Sequence, residues 1–233
     1  MSNAMKSKLL ITCEHAGNKI PTAYQHLFQA NLDVLNSHRG IDIGAKVLFD
    51  QFVKHANPDF SIFNEESRLL IELNRSLTHP NLFSEYTKNL SLVEKNELID
   101  KIYIPYRQRV ERFIADWIVN HTVIHLSVHS FTPIFQGTER NCDIGLLYDS
   151  RQKNEQAFCK LWKEKLDFHN QFKSRMNYPY LGKADGFTTA LRKQFQQNYI
   201  GIELEVNQKN YYKGWNIAIH KIIDTFKGAY CTF

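Results

Sequence analysis

Two histidines and one aspartate stand at positions in this sequence from which they could hold a metal ion. His15 follows the apolar run at residues 9–13, and His129 follows the β-branched run at residues 123–128. Asp42 comes just before the apolar face of a predicted helix. Two imidazoles and a carboxylate with an open fourth position form a catalytic zinc site, which lowers the pKa of a bound water to about 7. These residue types therefore predict metal-assisted hydrolysis.

Each of these three residues also has a purely structural interpretation. His15 could be a surface histidine after a strand, and Asp42 is a residue type that commonly caps the first turn of a helix. His125 and His129 have the spacing of a helical His-x-x-x-His pair. Their β-branched neighbours favour a strand instead, in which His125, Ser127 and His129 share one face. The metal site is therefore indicated by the set rather than by any one member.

Two acidic residues in another predicted strand could transfer protons. Glu203 and Glu205 lie within residues 199–206, and the alternation of side chains along a strand puts both on the same face. Two buried carboxylates that point the same way repel each other, so at least one is expected to meet a cation or a metal-bound water. The alternative is a half-exposed strand whose solvent face carries both acids.

Arginines and an asparagine near the apolar run at residues 69–73 could bind an acidic ligand. Arg68 precedes this run, and Asn74 and Arg75 follow it. A guanidinium group binds a carboxylate through two parallel hydrogen bonds, so these residues suit an acidic substrate. Each arginine could instead pair with a neighbouring glutamate on the surface.

The elements that must position these residues alternate between strand and helix, which is typical of an α/β domain with a largely parallel sheet. The predicted strands cover residues 9–13, 60–63, 69–73, 123–128, 144–148 and 199–206. The predicted helices cover residues 43–55, 155–168, 188–196 and 215–226, with two helices or one kinked at Pro105 over residues 91–119. Ligands collect at the carboxyl ends of strands in an open α/β sheet, and most candidate residues fall at such ends.

Length and composition indicate a soluble globular protein. The chain has 233 residues, and 29 Lys and Arg against 24 Asp and Glu give a formal net charge of +5. This length supports a hydrophobic core without disulfides, and no repeat or Gly/Ser linker divides the chain. We expect one catalytic domain over residues 5–233, and we interpret residues 1–4 as the remnant of an expression tag.

The sequence also argues against several classes of protein. No apolar run approaches the roughly 18 to 20 residues that span a bilayer, so no membrane association is expected. No secretory signal is visible, which favours a cytoplasmic protein. The four cysteines form no Cys-x-x-Cys pair, which argues against a thiolate zinc site. Lys and Arg are dispersed, which argues against a nucleic-acid partner, although a basic, non-catalytic binding protein is the alternative of another class.

Six blocks of this sequence, taken in order, resemble the N-formylglutamate amidohydrolase family. They are residues 13–21, 41–45, 67–75, 129–133, 140–148 and 203–208, followed by Tyr211. The resemblance implies a zinc-dependent exopeptidase-like fold, a three-layer α/β sandwich around a mixed, mostly parallel central sheet. It also implies that His15, Asp42 and His129 hold a zinc ion or another divalent metal.

The resemblance further implies roles for the acidic and carboxylate-binding residues. Glu205 matches the catalytic carboxylate of the family, because it lies three residues before Gln208. Glu203 stands where some members have glutamine, which is a departure from the family pattern. Asn74 and Arg75 resemble the carboxylate-binding pair of zinc carboxypeptidases.

The reaction that this resemblance implies is hydrolysis of the amide bond of a small, acidic N-acyl amino acid. The lead substrate is N-formyl-L-glutamate, which would give formate and glutamate. Arg68, Asn74 and Arg75 would bind a substrate carboxylate, and Arg140 would bind a second carboxylate or the developing oxyanion. A zinc amidase or carboxypeptidase-like enzyme that acts on peptides or cell-wall fragments is the alternative within hydrolases.

Overall fold

A computed structural model of the chain describes residues 6–168, 170–212 and 215–233. The described residues form eight strands. The strands are β1 (Ser7–Cys13), β2 (Phe60–Phe63), β3 (Thr122–Phe131), β4 (Ile134–Phe135), β5 (Thr138–Glu139), β6 (Ile144–Leu147), β7 (Ser174–Met176) and β8 (Tyr199–Asn207). Helices separate them along the chain except between β3 and β6, where four strands follow one another.

Six of these strands form one mixed sheet in the order β2-β1-β3-β8-β6-β7. All neighbours in the sheet are parallel except β6 and β8, which run antiparallel. The remaining strands, β4 and β5, form a separate antiparallel pair. The prediction of a mixed, mostly parallel central sheet is therefore confirmed.

Helices cover both faces of the sheet and give the three layers that the sequence predicts. They are α1 (Leu32–Leu35), α2 (Ala45–Ala56), α3 (Leu92–Leu98), α4 (Ile104–Trp117), α5 (Lys153–Phe168), α6 (Phe187–Gln194), α7 (Lys209–Tyr212) and α8 (Trp215–Thr232). Short 3₁₀ turns (Thr22–Leu27 and Gln29–Asn31) precede α1. Among the described residues, no helix is both long enough and apolar enough to cross a membrane.

The strands bury side chains on both faces, so the sheet separates two hydrophobic cores. In β1, Leu9 and Ile11 pack into one core, which α2, α5 and α8 complete. Leu10, between them, packs into the other core with residues of α4 and α6. This alternation is the two-residue period of a strand, here with apolar residues on both sides because helices cover both faces.

The predicted strand at residues 69–73 is wrong, because this segment forms turns rather than a strand. Leu69, Leu70, Ile71 and Leu73 are all buried in the core that contains Leu10. The backbone N–H of Glu72 donates to the carbonyl of Leu82 in a neighbouring loop. A continuous apolar run indicates burial on all sides but does not distinguish a buried strand from a buried irregular segment.

Residues 91–119 contain two α-helices. This is one of the two arrangements that the sequence predicts, the other being a single kinked helix. Ser91 caps α3 in a capping box with Glu94, which satisfies backbone N–H groups at the start of the helix. A π-helical turn (Ile99–Tyr103) joins α3 to α4 and places Pro105 at the start of α4. The N–H of Ile104 donates to the carbonyl of Ile99 in this π-helical turn, so the departure from regular α-helix coincides with the proline, which has no N–H to donate.

Candidate metal centre and substrate cavity

The carboxyl ends of three adjacent strands bring the candidate residues to one edge of the sheet. His15 follows β1, while His129 and Glu205 are directly opposite each other in the register of β3 and β8. Asp42 is held beside them, because its backbone N–H donates to the carbonyl of His15 at 3.2 Å. These residues open onto a cavity of about 300 Å³. The cavity is lined by His15, Asp42, Arg68, Asn74, Arg75, His129, Ser130, Tyr180, Leu181, Ala184, Asp185, Glu203 and Glu205.

His15, Asp42 and His129 converge so that one ligand atom from each lies within 4.8 Å of the others. Oδ2 of Asp42 is 3.2 Å from Nδ1 of His15 and 2.9 Å from Nδ1 of His129. All three residues are buried. The structure therefore assembles, in one place, the three residues that the sequence predicts as metal ligands.

Each imidazole of this triad meets a second carboxylate through its other nitrogen. Nε2 of His15 forms a hydrogen bond with Glu72, and Nε2 of His129 lies 3.1 Å from Oε2 of Glu14. A carboxylate can only accept a hydrogen bond, so each ring, with a carboxylate at both nitrogens, donates from Nδ1 as well as from Nε2. A metal ion bound by His15, Asp42 and His129 would take the place of the two Nδ1 protons. A carboxylate behind each ligating histidine is the usual arrangement in protein metal sites.

This donor set fits a divalent cation. Burial alone would lower the pKa of His129, but its hydrogen bonds to Asp42 and Glu14 raise that pKa well above the ordinary value. Burial likewise opposes ionisation of Glu14, yet the hydrogen bond with His129 holds the pKa of the Glu14 carboxyl below its usual range. The buried acids thus favour positive charge between the two rings. Two imidazole nitrogens and a carboxylate oxygen are ligands that suit zinc.

Arg68 lines the cavity and contacts two carboxylates of the candidate metal centre. Its Nη1 donates to Oδ1 of Asp42 at 3.0 Å. Its Nε and Nη2 donate to Oε2 of Glu72 at 2.9 and 2.6 Å. Arg68 therefore links a candidate metal ligand to the carboxylate that orients His15.

Asn74 and Arg75 line the cavity on the turn that follows residues 69–73. Oδ1 of Asn74 accepts from the backbone N–H of Phe187 at 2.7 Å, which fixes the amide at the start of α6. Nη1 of Arg75 donates to the backbone carbonyl of Asp185. Arg107 stabilises this turn, because its Nη1 donates to the carbonyl of Arg75 at 3.0 Å.

Arg140 lies next to the cavity, but it is not one of the residues that line it. Its guanidinium group stacks against the rings of Phe131, Phe135 and Tyr180, at 5.8, 4.6 and 5.0 Å from their centroids. Within the described part of the chain, no carboxylate lies within 4.0 Å of it. Of these three rings, that of Tyr180 lines the cavity.

Glu203 and Glu205 are on the same face of β8, as the sequence predicts, and both are buried. Oε1 of Glu203 accepts a hydrogen bond from the hydroxyl of Thr188 at 2.5 Å. Oε2 of Glu205 is buried and has no hydrogen-bond partner among the described residues. Burial raises the pKa of Glu205 to about 8. A carboxyl group in this state can accept and return a proton near neutral pH.

The strand that carries His129 also carries His125, which has a structural role. Nε2 of His125 pairs with the hydroxyl of Thr12 at 2.8 Å, and Nδ1 pairs with the hydroxyl of Tyr199 at 2.7 Å. Burial lowers the pKa of His125 to about 4, which keeps the ring neutral. The strand interpretation of this segment is therefore correct, and the helical His-x-x-x-His alternative is wrong.

Glu14 and Glu72 are not among the functional residues that the sequence predicts. Glu14 is fully buried and also accepts hydrogen bonds from Tyr106 and Ser127. One signal for Glu14 was its position next to His15, and one for Glu72 was an acidic residue inside an apolar run. Neither signal predicts that Glu14 contacts His129 or that Glu72 contacts His15, because these contacts form only in the folded chain.

Replacing Glu72 with glutamine is expected to weaken zinc binding about 10- to 100-fold, as is typical when the partner of a ligating histidine is lost. Glutamine removes the charge that pairs with His15 and Arg68, so it orients the ring less strongly. Calorimetric titration of metal-free protein with Zn²⁺ measures the affinity. Glu65→Gln, an exposed acid in the same segment, is the matched control. Equal zinc affinity in Glu72→Gln and the control would contradict this role.

Comparisons with known proteins bear on the family and the fold of the chain. The family model described as N-formylglutamate amidohydrolase matches residues 7–212. The solved structure of gene product Atu2144 from Agrobacterium tumefaciens has a TM-score of 0.82 at 21% identity, covering 98% of this chain and 92% of that chain. N-formylglutamate amidohydrolase from Ralstonia eutropha has a TM-score of 0.66 at 14% identity, with coverages of 98% and 93%. At these identities the two solved structures show that the fold is shared. The comparison with curated protein sequences found no match.

Proposed function

The chain belongs to the N-formylglutamate amidohydrolase family, and from this premise we propose that it hydrolyses the amide bond of an N-acyl amino acid in a metal-dependent reaction. N-formyl-L-glutamate is the lead substrate, with formate and glutamate as products. One observation carries the proposal. The two Nδ1 atoms of His15 and His129 converge on Asp42, while Glu205 lines the same cavity and its Oε2 is buried without a partner among the described residues.

The proposed metal site consists of His15, Asp42 and His129, and zinc is the ion that this set of nitrogen and oxygen ligands favours. When bound, the ion would activate a water molecule and polarise the scissile amide. Glu14 and Glu72 hold the two imidazoles so that Nδ1 of each faces the site. Arg68 holds Asp42 and Glu72 together, so we assign it to support of the site.

Glu205 is the proposed general base and then the general acid. Its carboxylate, which lines the cavity, accepts a proton from the attacking water as the new carbon–oxygen bond forms. The same group then donates that proton to the amide nitrogen as the carbon–nitrogen bond breaks. For N-formyl-L-glutamate, the formyl group leaves as formate and the amino acid leaves as a free amine.

Asn74 and Arg75 are the proposed site for the α-carboxylate of the substrate. Oδ1 of Asn74 is occupied by the N–H of Phe187, so the amide presents its NH₂ group to the cavity. Arg75 is anchored through Nη1, which leaves the rest of its guanidinium group for a carboxylate. We propose that Arg140 acts on the substrate through Tyr180, since Tyr180 lines the cavity and stacks against Arg140.

A substrate screen on the zinc-loaded protein tests the proposed function. We expect release of formate from N-formyl amino acids, and slower reaction with N-acetyl amino acids and with short peptides. A faster reaction with peptides would favour the carboxypeptidase-like alternative. No hydrolysis of any of these amides by protein that contains a full complement of zinc would overturn the proposal.

A further inference from the structure

Arg107 is a buried cation that has no acidic partner among the described residues. It lies on α4 and is 7% exposed. Within the described part of the chain, no carboxylate lies within 4.0 Å of its guanidinium group. An arginine keeps its charge in proteins, and a buried charge without an opposite charge is costly unless hydrogen bonds and aromatic faces stabilise it. The positive charge of Arg107 is therefore not cancelled by a neighbouring acid.

The hydrogen bonds of Arg107 are made to the turn that carries Asn74 and Arg75. Its Nη1 donates to the carbonyls of Leu73 and Arg75 at 3.3 and 3.0 Å, on either side of Asn74 in the chain. The hydroxyl of Tyr103 donates to the same carbonyl of Arg75 at 2.7 Å and accepts from Nη1 of Arg107 at 2.6 Å. Two buried side chains of adjacent helical turns thus fix the backbone of this turn.

Arg107 also contacts the residue that fixes the amide of Asn74. Its guanidinium group lies over the ring of Phe187, 4.3 Å from the centroid. The backbone N–H of Phe187 donates to Oδ1 of Asn74 at 2.7 Å. Asn74 and Arg75 line the cavity, whereas Arg107 is not among the residues that line it. Arg107 therefore contacts the proposed carboxylate site from behind, through the backbone of the turn and through Phe187.

We propose that Arg107 is a positioning residue, which sets the affinity of Asn74 and Arg75 for the α-carboxylate of the substrate. The hydroxyl of Tyr103 shares this role, because it binds the same carbonyl of Arg75. This inference rests on the proposed function, since it takes Asn74 and Arg75 as the α-carboxylate site. Hydrogen bonds that hold the turn before the substrate arrives lower the cost of ordering it on binding. The charge of Arg107 beside the turn adds to the attraction for an anion.

N-formyl-L-glutamate and N-formyl-L-isoglutamine test this inference, because they differ only in having an α-carboxylate or an α-carboxamide. We expect kcat/KM of the zinc-loaded wild-type protein to favour the carboxylate compound by at least about tenfold. Arg107→Met keeps an unbranched side chain but removes the guanidinium group. In this variant we expect KM for the carboxylate compound to rise at least about tenfold while kcat stays within about threefold. The preference for the carboxylate should fall by the same factor.

Two further variants make the result specific. Arg109→Met removes an exposed arginine from the same helix, so it should keep the wild-type preference. Tyr103→Phe removes only the hydroxyl, and loss of its hydrogen bond to the carbonyl of Arg75 should lower the preference about threefold or more. Tyr103→Phe decides the question if Arg107→Met does not fold.

Three kinetic results would overturn the inference while leaving the proposed function intact. They are equal kcat/KM for the two compounds in wild type, a wild-type preference in the variant, and an equal loss of turnover for both compounds. Hydrolysis of neither compound would contradict the proposed function instead. Calorimetric binding of both compounds to Glu205→Gln, with and without Arg107→Met, then tests the inference without turnover. A smaller carboxylate preference in the double variant would support the inference, and an unchanged preference would overturn it.

Discussion

Glu205→Gln is expected to lower kcat by about 10²- to 10⁴-fold, the usual contribution of a general acid–base group. Glutamine has nearly the shape of glutamate, but it cannot accept a proton from water and return it to the leaving nitrogen. Oε2 of Glu205 is buried and lacks a partner among the described residues, so its exchange should disturb few other contacts. Steady-state kinetics with an N-formyl amino acid measures the loss, and zinc titration should show an affinity close to that of wild type.

The neighbouring acid provides the comparison that makes this experiment decisive. Glu203 lies two residues earlier on the same face of β8, but it is hydrogen-bonded to Thr188. If Glu205→Gln retained wild-type kcat while Glu203→Gln lost it, Glu203 rather than Glu205 would be the general base. A large loss of zinc affinity in Glu205→Gln would instead make Glu205 part of the metal site.

Loss of the metal is expected to abolish turnover, and His129→Ala should remove most of the zinc binding. His129 supplies one of only three predicted ligands, and its Nδ1 is 2.9 Å from Oδ2 of Asp42. A ligand that binds only the folded state stabilises it by about 4 kcal/mol at a thousandfold excess over its Kd. Zinc should therefore raise the thermal midpoint of the wild-type protein clearly and that of His129→Ala little. Elemental analysis of the purified proteins gives the zinc content directly.

An exposed histidine is the matched control for this experiment. His26 lies in a short 3₁₀ turn and is exposed, so His26→Ala should keep both the zinc content and the thermal shift. Chelated protein that kept full turnover would contradict metal dependence. Unchanged zinc content in His129→Ala would contradict the assignment of His129 as a ligand.

Local sequence patterns were sufficient to predict most of the elements and the candidate residues. Strand alternation in residues 199–206 placed Glu203 and Glu205 on one face, and the structure confirms this placement. The β-branched run before His129 likewise indicated a strand, which is β3. Both predictions depend only on residues that are neighbours in the chain, because the two-residue period of a strand is a local property.

The same local patterns did not predict the path of the chain at residues 69–73. Their apolar side chains satisfy the requirement for burial in a strand and in an irregular segment equally well. In the structure the backbone N–H of Glu72 donates to the carbonyl of Leu82 in the neighbouring loop, a contact that the apolar run does not predict. The turn places Asn74 and Arg75 at the cavity and Glu72 behind His15.

The sequence by itself determined which residue types could hold a metal and transfer a proton, because these depend on side-chain chemistry and short spacing. Only the tertiary structure decided which groups meet. The pairing of β1, β3 and β8 brings His15 and His129 beside Asp42, and folding places Glu72 behind His15 and Glu14 behind His129. These contacts join segments far apart in the chain and follow no periodicity. They result from strand order and helix packing, which the whole chain sets by burying both faces of one sheet.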